Sequence, residues 1–313
     1  MELRNLGKSG LKVSKVGLGC NNFGGRIDLE ATRAVVHKAL DAGITLFDTA
    51  DVYGNRGGSE TLLGETLGDR RKEIILATKF AGSMDDSGTK RGASRRYILS
   101  AVEDSLKRLK TDWIDLYQLH TPDSDTPMEE TLSALETLVS SGKVRYIGCS
   151  NVAAWAVADS QWISKVRGWS AFVSCQDEYS LVVRSVEKEL VPMAERFGLG
   201  ILPYFPLASG LLTGKYKQGE PMPEGARLTN SKGMADRYMT EKNWKIVGDL
   251  TQFSEQRGHT MLELAFSWLA AQPTVSSVIA GATKPEQIEK NATAADWNLT
   301  AEDLAEIGKI LDA

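Results

Sequence analysis

The chain has 313 residues, of which 42% are hydrophobic and 25% are charged, and this composition excludes a disordered or fibrous protein. Its 37 Lys and Arg against 41 Asp and Glu give a net charge of −4, so we expect no general affinity for nucleic acid or anionic membranes. No apolar run reaches the roughly 18 residues of a membrane span, and the N-terminus lacks the layout of a signal peptide, which together predict a cytoplasmic protein. Three cysteines and three histidines without ligand spacing predict neither a disulfide framework nor a metal site.

Short apolar segments alternate with longer amphipathic ones along the chain, after an N-terminal hairpin predicted over residues 3–13. Strands are predicted at 16–19, 44–47, 74–78, 113–119, 144–147, 171–175, 200–204 and 275–279. Helices are predicted between and after them, at 28–42, 59–67, 94–109, 127–140, 153–162, 186–197, 241–257, 261–270, 285–290 and 301–311. Asp28 and Ser59 are the expected N-caps of the first two helices.

The order of these elements predicts an α/β fold. Eight strand–helix cycles over this length are typical of a (β/α)8 TIM barrel, here with an N-terminal β-hairpin and extra C-terminal helices, in a single domain spanning 1–313. The strands are apolar without clean alternation, as expected when both faces are buried. A doubly wound sheet is the alternative, but it usually carries a glycine-rich fingerprint after its first strand, and here Asn22 stands where that fingerprint has glycine.

One long stretch, 214–239, has no predicted regular structure and is rich in Gly, Pro, Lys and Glu. Loops of this length in compact domains are usually functional or mobile. Because this loop follows the seventh strand, we expect it at the C-terminal end of the barrel, where barrel active sites lie.

Polar side chains follow three successive strands: Asp48 and Tyr53 the second, Lys79 the third and His120 the fourth. The C-terminal ends of the strands share one face of a barrel, so these side chains are expected to converge. An ammonium favours the charged form of a nearby phenol, so we expect Lys79 to lower the pKa of Tyr53 from about 10, while Asp48 keeps Lys79 charged. His120 could then fix a substrate oxygen while Tyr53 moves a proton.

These residues resemble the active-site motifs of the aldo-keto reductases, and the resemblance covers nearly the whole chain. The segments 48–54 (DTADVYG), 78–79 (TK) and 119–120 (LH) occur in the family's usual order, and 148–151 (GCSN) and 206–216 (PLASGLLTGKY) are further matches. Within the family the chain is most similar to bacterial NADPH-dependent reductases and to potassium-channel β subunits.

The resemblance implies an oxidoreductase that transfers a hydride between NADP(H) and an aldehyde or ketone, with NAD(H) also possible. It implies Tyr53 as the proton donor, Lys79 and Asp48 as its electrostatic support, and His120 as the group that orients the carbonyl. It further implies a set of cofactor-binding residues that hold the carboxamide, stack on the nicotinamide or contact phosphates: Ser150, Asn151, Gln176, Tyr204, Pro206, Leu207, Ser209, Lys215, Arg227, Gly281, Thr283, Gln287 and Asn291.

The residue types suit these implied roles. Ser, Asn and Gln side chains can pair with an amide, and the amides at a helix start bind phosphate readily. Lys215 with Arg227 or Lys284 could neutralise a 2′-phosphate, which favours NADPH over NADH. The chain departs from the family's pattern at Gln287, where many members carry Arg, and at Lys290, where Glu is usual.

The substrate is expected to be a small carbonyl compound in a partly apolar pocket that includes Asn21, Phe23 and Phe80. Two other functions stay open: an NADPH-binding sensor or accessory subunit with little turnover, and a barrel isomerase or lyase that uses Lys79 as a Schiff-base nucleophile. The oligomeric state, monomer or homo-oligomer, also stays open.

Overall fold

The computed structural model describes residues 1–312 and consists of a hairpin followed by a curled parallel sheet. The hairpin strands are β1 (Leu3–Asn5) and β2 (Lys12–Ser14), which pair antiparallel. The parallel strands are β3 (Val16–Gly19), β4 (Leu46–Asp48), β5 (Ile75–Phe80), β6 (Ile114–Leu119), β7 (Val144–Ser150), β8 (Phe172–Gln176), β9 (Gly200–Ile201) and β10 (Val278–Gly281).

The parallel strands lie in the order β10-β3-β4-β5-β6-β7-β8-β9. The two ends of this sheet meet, because Ile201 of β9 bridges Val275 and accepts a hydrogen bond of 3.0 Å from the backbone N–H of Ser276, just before β10. The predicted TIM barrel is therefore confirmed, and the doubly wound alternative is wrong.

Helices surround the sheet, and each of the strands β3–β8 is followed by one. They are α1 (Leu29–Asp41), α2 (Tyr53–Leu67), α3 (Arg95–Leu109), α4 (Met128–Ser140), α5 (Ala154–Arg167), α6 (Leu190–Phe197), α7 (Lys232–Tyr238), α8 (Glu241–Gln256), α9 (Met261–Ala270), α10 (Pro285–Ala294) and α11 (Ala301–Asp312). Asp28 caps α1 as predicted, accepting from the N–H of Ala31. The short α7 lies inside the loop that the sequence left without regular structure.

The hairpin closes the N-terminal end of the barrel. Side chains of its turn and of β2 join side chains of the parallel strands in one apolar cluster of Leu6, Leu11, Val13, Leu46, Ala77, Leu116, Leu202 and Ile279. Gly7 has φ 57, and a Cβ there would lie 2.5 Å from the carbonyl oxygen of Gly198, so this close approach requires glycine. The C-terminal end of the barrel is left open for a site.

The first turn of α2 is irregular, which separates Tyr53 from the regular helix. Residues 54–57 have positive φ, and regular helical geometry begins only after them, near the predicted start at Ser59. The predicted N-cap role of Ser59 is wrong, because its hydroxyl donates a 2.8 Å hydrogen bond to the carbonyl oxygen of Cys20. The segment after β4 is thereby tied to the segment after β3.

Candidate active site at the open end of the barrel

A cavity of about 490 Å³ opens at the carboxyl ends of the parallel strands. Its volume is typical of a small-molecule site. The predicted site residues that line it are Asn21, Asp48, Tyr53, His120, Ser150, Asn151, Gln176, Tyr204, Pro206, Leu207, Ser209, Lys215, Arg227, Gly281, Thr283 and Gln287.

Four predicted site residues do not line this cavity. Lys79 is fully buried and is connected to the cavity through its hydrogen bonds to Asp48 and Tyr53, which line it. The structure does not bring Phe23, Phe80 or Asn291 to the cavity: both rings are fully buried in the core, and Asn291 is buried on α10. The ring of Phe80 packs against Tyr117, with 4.8 Å between centroids, so it fills space between the sheet and its helices.

Lys79 links the candidate proton donor to the candidate carboxylate. Its Nζ lies 2.6 Å from Oδ2 of Asp48, 2.9 Å from the carbonyl oxygen of Thr49 and 3.5 Å from the hydroxyl of Tyr53. Alternation along β5 places it there, because Ala77 faces the barrel interior and Lys79, two residues on, faces the same side. An acid, an amine and a phenol therefore form one hydrogen-bonded chain.

Two amides hold the second oxygen of the Asp48 carboxylate. Nε2 of Gln176 donates to Oδ1 at 2.8 Å, and Nε2 of Gln118 donates to the same oxygen at 3.1 Å. With Lys79 on Oδ2, Asp48 receives hydrogen bonds on both oxygens, which fixes the orientation of its carboxylate. Gln176 is thus connected directly to the catalytic candidates.

The pKa values follow from burial and from these contacts. Burial opposes a charged Lys79, but Asp48 and Tyr53 outweigh it, so the pKa of Lys79 is raised. Burial raises the pKa of Tyr53 above 10, and the opposing effect of Lys79 is smaller. The expectation that the pKa of Tyr53 falls below its usual value is therefore wrong, although Lys79 acts with the expected sign.

His120 lies beside Tyr53 and is neutral near pH 7. The two rings meet edge to face, with 5.6 Å between centroids. Burial, together with the charge of Lys79, lowers the pKa of His120 to about 3. A neutral imidazole carries one N–H, so His120 can donate a hydrogen bond to an oxygen in the cavity without carrying charge.

A second set of hydrogen bonds positions the amide-bearing side of the cavity. Nδ2 of Asn151 donates to the carbonyl oxygen of His120 at 3.1 Å and to the hydroxyl of Ser150 at 3.0 Å. The hydroxyl of Tyr204 donates to Oδ1 of Asn151 at 2.8 Å. Asn151 has φ 58, a left-handed conformation that Asn tolerates better than most residues. The strand ends β6, β7 and β9 are joined in this way.

Three cations face the other side of the cavity. They are Arg26, Lys215 and Arg227, and none has a carboxylate within 4.0 Å among residues 1–312. Burial, followed by repulsion from the neighbouring cations, lowers the pKa values of Lys215 and Arg227. Cations that repel one another without a carboxylate partner form a site for an anion.

The backbone amides at the N-terminus of α10 are not free, contrary to the expectation from the sequence. Its free amides were expected to contact phosphate, but Oε1 of Gln287 accepts from the N–H of Thr283 at 2.7 Å and from the N–H of Lys284 at 3.2 Å. A phosphate can use these two amides only after the Gln287 side chain rotates away. Gln287 therefore acts as a cap of its own helix in this structure.

Sequence reasoning missed Gln118 and Arg26. Gln118 could have been found by alternation, because it lies two residues after Leu116 on β6, and Leu116 faces the barrel interior. Arg26 lies in the loop after β3, at the same end of the barrel as the later strand-end loops, and this position is the signal for it.

Comparison with known proteins gives the family. The sequence profile described as "Aldo/keto reductase family" matches residues 15–312. The chain belongs to the aldo/keto reductase family. It is 37% identical to L-glyceraldehyde 3-phosphate reductase of Escherichia coli (strain K12), with 98% of this chain and 91% of the relative covered. It is 36% identical to a probable voltage-gated potassium channel subunit beta of Oryza sativa subsp. japonica, with 95% of this chain and 92% of the relative covered.

A third relative, a putative voltage-gated potassium channel subunit beta of Schizosaccharomyces pombe, is 38% identical over 99% of this chain and 93% of its own length. Membership of the aldo/keto reductase family, with relatives named as reductases, makes the protein an oxidoreductase that acts on carbonyl and alcohol groups. Within residues 1–312 no helix has the length and apolar character needed to cross a membrane. The same residues contain no cluster of three or more His, Cys, Asp or Glu side chains arranged to hold a metal ion.

Proposed function

We propose that the protein reduces aldehydes or ketones with NADPH and that Tyr53 donates the proton. The observation that carries this proposal is the hydrogen-bonded chain of Asp48, Lys79 and Tyr53 beside a neutral His120, at the wall of one cavity. The raised pKa of Tyr53 keeps the phenol protonated near neutral pH, which suits a proton donor.

In this proposal each residue has one task at the carbonyl group. The imidazole of His120 donates a hydrogen bond that holds the substrate oxygen, and the hydroxyl of Tyr53 delivers its proton to that oxygen. The ammonium of Lys79 stabilises the phenolate that Tyr53 becomes, and Asp48 keeps Lys79 charged and in place. The nicotinamide cofactor supplies the hydride when it is bound.

The cavity has the chemistry that a nicotinamide dinucleotide needs. Nε2 of Gln176 donates to Asp48, and its Oε1 accepts no hydrogen bond within residues 1–312, so it can accept from the carboxamide, with Ser150 and Asn151 alongside. Tyr204 offers a ring at the cavity wall for stacking. Arg26, Lys215 and Arg227 supply positive charge for phosphates, and because NADPH carries an additional phosphate, this cluster favours NADPH over NADH.

The substrate class is a small aldehyde or ketone. Asn21 lines the cavity and is the remaining substrate candidate from the sequence, since Phe23 and Phe80 are buried away from it. The E. coli relative's name refers to a phosphorylated triose aldehyde, so this compound belongs among the first substrates to be tested.

The relatives named as potassium channel subunits favour a second candidate, an NADPH-binding accessory subunit with little turnover. The experiment is a panel of aldehydes and ketones, including phosphorylated triose aldehydes, followed at the nicotinamide absorbance with NADPH and NADH in parallel. We expect steady-state consumption with at least one aldehyde and a higher kcat/KM with NADPH. Tight NADPH binding without turnover on any member of the panel supports the accessory subunit, and a higher kcat/KM with NADH contradicts the assignment of the cations.

A further inference from the structure

Helix α5 exposes large apolar side chains on the outside of the barrel. Trp155 is 74% exposed, Trp162 50% and Val166 80%. The other exposed large hydrophobic side chains among residues 1–312 are scattered at the N-terminus and in the loop 214–239. Two tryptophans and a valine exposed along one 14-residue helix are unusual on a monomer surface and indicate an interaction site.

These side chains share one face of the helix. Trp155 and Trp162 are seven residues apart, close to two turns, and Val166 follows one turn later, so the face extends for about 16 Å along the axis. We call this surface the α5 face and define it by Trp155, Asp159, Trp162, Lys165 and Val166. It begins near the open end of the barrel and continues toward the opposite end.

A groove lies beside the α5 face, between α5 and α6. It has a volume of about 280 Å³, and its walls include the rings of Trp162, Trp169 and Phe197 and the cations Lys165 and Arg196. The ammonium of Lys165 lies 4.8 Å from the ring centroid of Trp162. Aromatic walls with two cations suit another aromatic ring, because a cation over an indole face is attractive.

The charges of the α5 face are arranged symmetrically about Trp162. Asp159 lies three residues before it and Lys165 three residues after it. Both are exposed, and neither forms an ion pair within residues 1–312. The neighbouring Arg167, by contrast, already pairs with Glu129 of α4. If a second α5 face is laid antiparallel on the first with the two Trp162 residues opposite each other, each acid lies opposite a base. The face is therefore complementary in charge to a second copy of itself.

We propose that the α5 face binds a second copy of this chain, with the two α5 helices antiparallel about a two-fold axis through Trp162. In this arrangement Asp159 faces Lys165 of the second copy, and the reciprocal pair forms by symmetry. Ala158 faces Val166 of the second copy. Trp155, the most exposed ring, reaches the aromatic groove beside Trp169 of the second copy, where Lys165 and Arg196 supply cations.

A second copy fits this face better than an unrelated partner does. A single two-fold axis places the opposite charges together, Ala158 against Val166, and the ring of Trp155 at the groove. The helix dipoles are also antiparallel in this arrangement, which is the favourable orientation. The contact is limited to one helix and its groove, so we expect reversible dimerisation at micromolar protein and not an obligate dimer.

The first test is sedimentation velocity of the purified full chain over a concentration series. We expect the wild type to change from the mass of one chain to twice that mass as concentration rises. Trp162→Glu places two carboxylates at the axis and is expected to abolish the dimer. Leu3→Glu, an equally exposed apolar residue on β1, is the matched control and should dimerise like the wild type. Circular dichroism and the Tm show whether each variant is folded.

The second test exchanges the charges. Asp159→Lys sets two lysines against each other and Lys165→Asp sets two aspartates, so each single variant is expected to lose the dimer. The double variant Asp159→Lys/Lys165→Asp restores opposite charges and is expected to recover it. A wild type that stays monomeric at every concentration, or a double variant no better than the single ones, overturns the proposal. A dimer that persists in Trp162→Glu places the interface elsewhere and overturns it as well.

Discussion

The strand-end group and the cation group lie at the same cavity but are built differently. In the strand-end group, Asp48 and Lys79 are buried and Tyr53 is half-buried, and the acid and the amine each contact charged or polar partners. The cation group, Arg26, Lys215 and Arg227, is carried by loops and is exposed or half-buried, and its charges repel one another.

This difference follows from the two tasks that we propose. Proton transfer requires donors and charges whose geometry is fixed before the substrate arrives, and parallel strands fix geometry well. Binding of a highly charged cofactor requires positive charge that is not already neutralised, and loops can bring such charge together while leaving it partly exposed to solvent. Substitutions in the strand-end group should therefore change turnover, whereas those in the cation group should change cofactor affinity.

The largest effect is expected for Tyr53→Phe, which removes the hydroxyl and leaves the ring. We expect kcat to fall by about 10²–10⁴-fold, the usual contribution of a positioned general acid. Cofactor affinity, measured by fluorescence titration with NADPH, should stay within error of the wild type. Turnover equal to the wild type removes Tyr53 from the mechanism and with it the distinction between the two groups.

Asp51 is a second buried carboxyl near the site. Unlike Asp48, which is paired with Lys79, it forms no ion pair within residues 1–312. Its Oδ1 has no hydrogen-bond partner among residues 1–312, and burial, reinforced by Glu60, raises its pKa from 3.8 to about 7. The folded protein therefore keeps a proton that the unfolded chain releases, so this group's contribution to stability falls as pH rises between about 4 and about 7.

The substitution Asp51→Asn removes this titration. We expect the variant to be about as stable as the wild type near pH 4 and to become more stable, by on the order of 4 kcal/mol, as pH approaches about 8. Tm measurements of both proteins across this pH range test the expectation. A difference in Tm that does not grow with pH shows that the charge of Asp51 does not oppose folding and contradicts this prediction.

The smallest effect is expected for Arg227→Ala in the cation group. Removing one charge-assisted contact to a phosphate should raise the KM for NADPH about tenfold. The KM for NADH and the value of kcat should change little. Lys217→Ala is the matched control, since Lys217 is an exposed cation of the same loop that does not line the cavity. Equal losses with both cofactors contradict a role in choosing NADPH.

Much of the site could be predicted because parallel strands in a barrel end on one face. That rule alone brought Asp48, Lys79, Tyr53 and His120 together from separate segments of the sequence, and the structure places them in contact. The family motifs then supplied most of the residues that line the cavity. The prediction that Phe23 and Phe80 line the substrate pocket was wrong. A ring next to a strand end can turn either to the cavity or to the helices, and the local sequence does not distinguish the two.

The barrel, the order of its elements and the residue types at the strand ends could all be predicted, because hydrophobic periodicity and the order of segments are read directly from the chain. The direction of the pKa shift of Tyr53 requires the folded structure, since burial and the charge of Lys79 oppose each other and both depend on packing. The hydrogen bonds of Gln118 to Asp48 and of Gln287 to its own helix require it as well. Each of these depends on distances between atoms that are far apart in the chain or on the rotamer of one side chain, and neither quantity can be read from residue order.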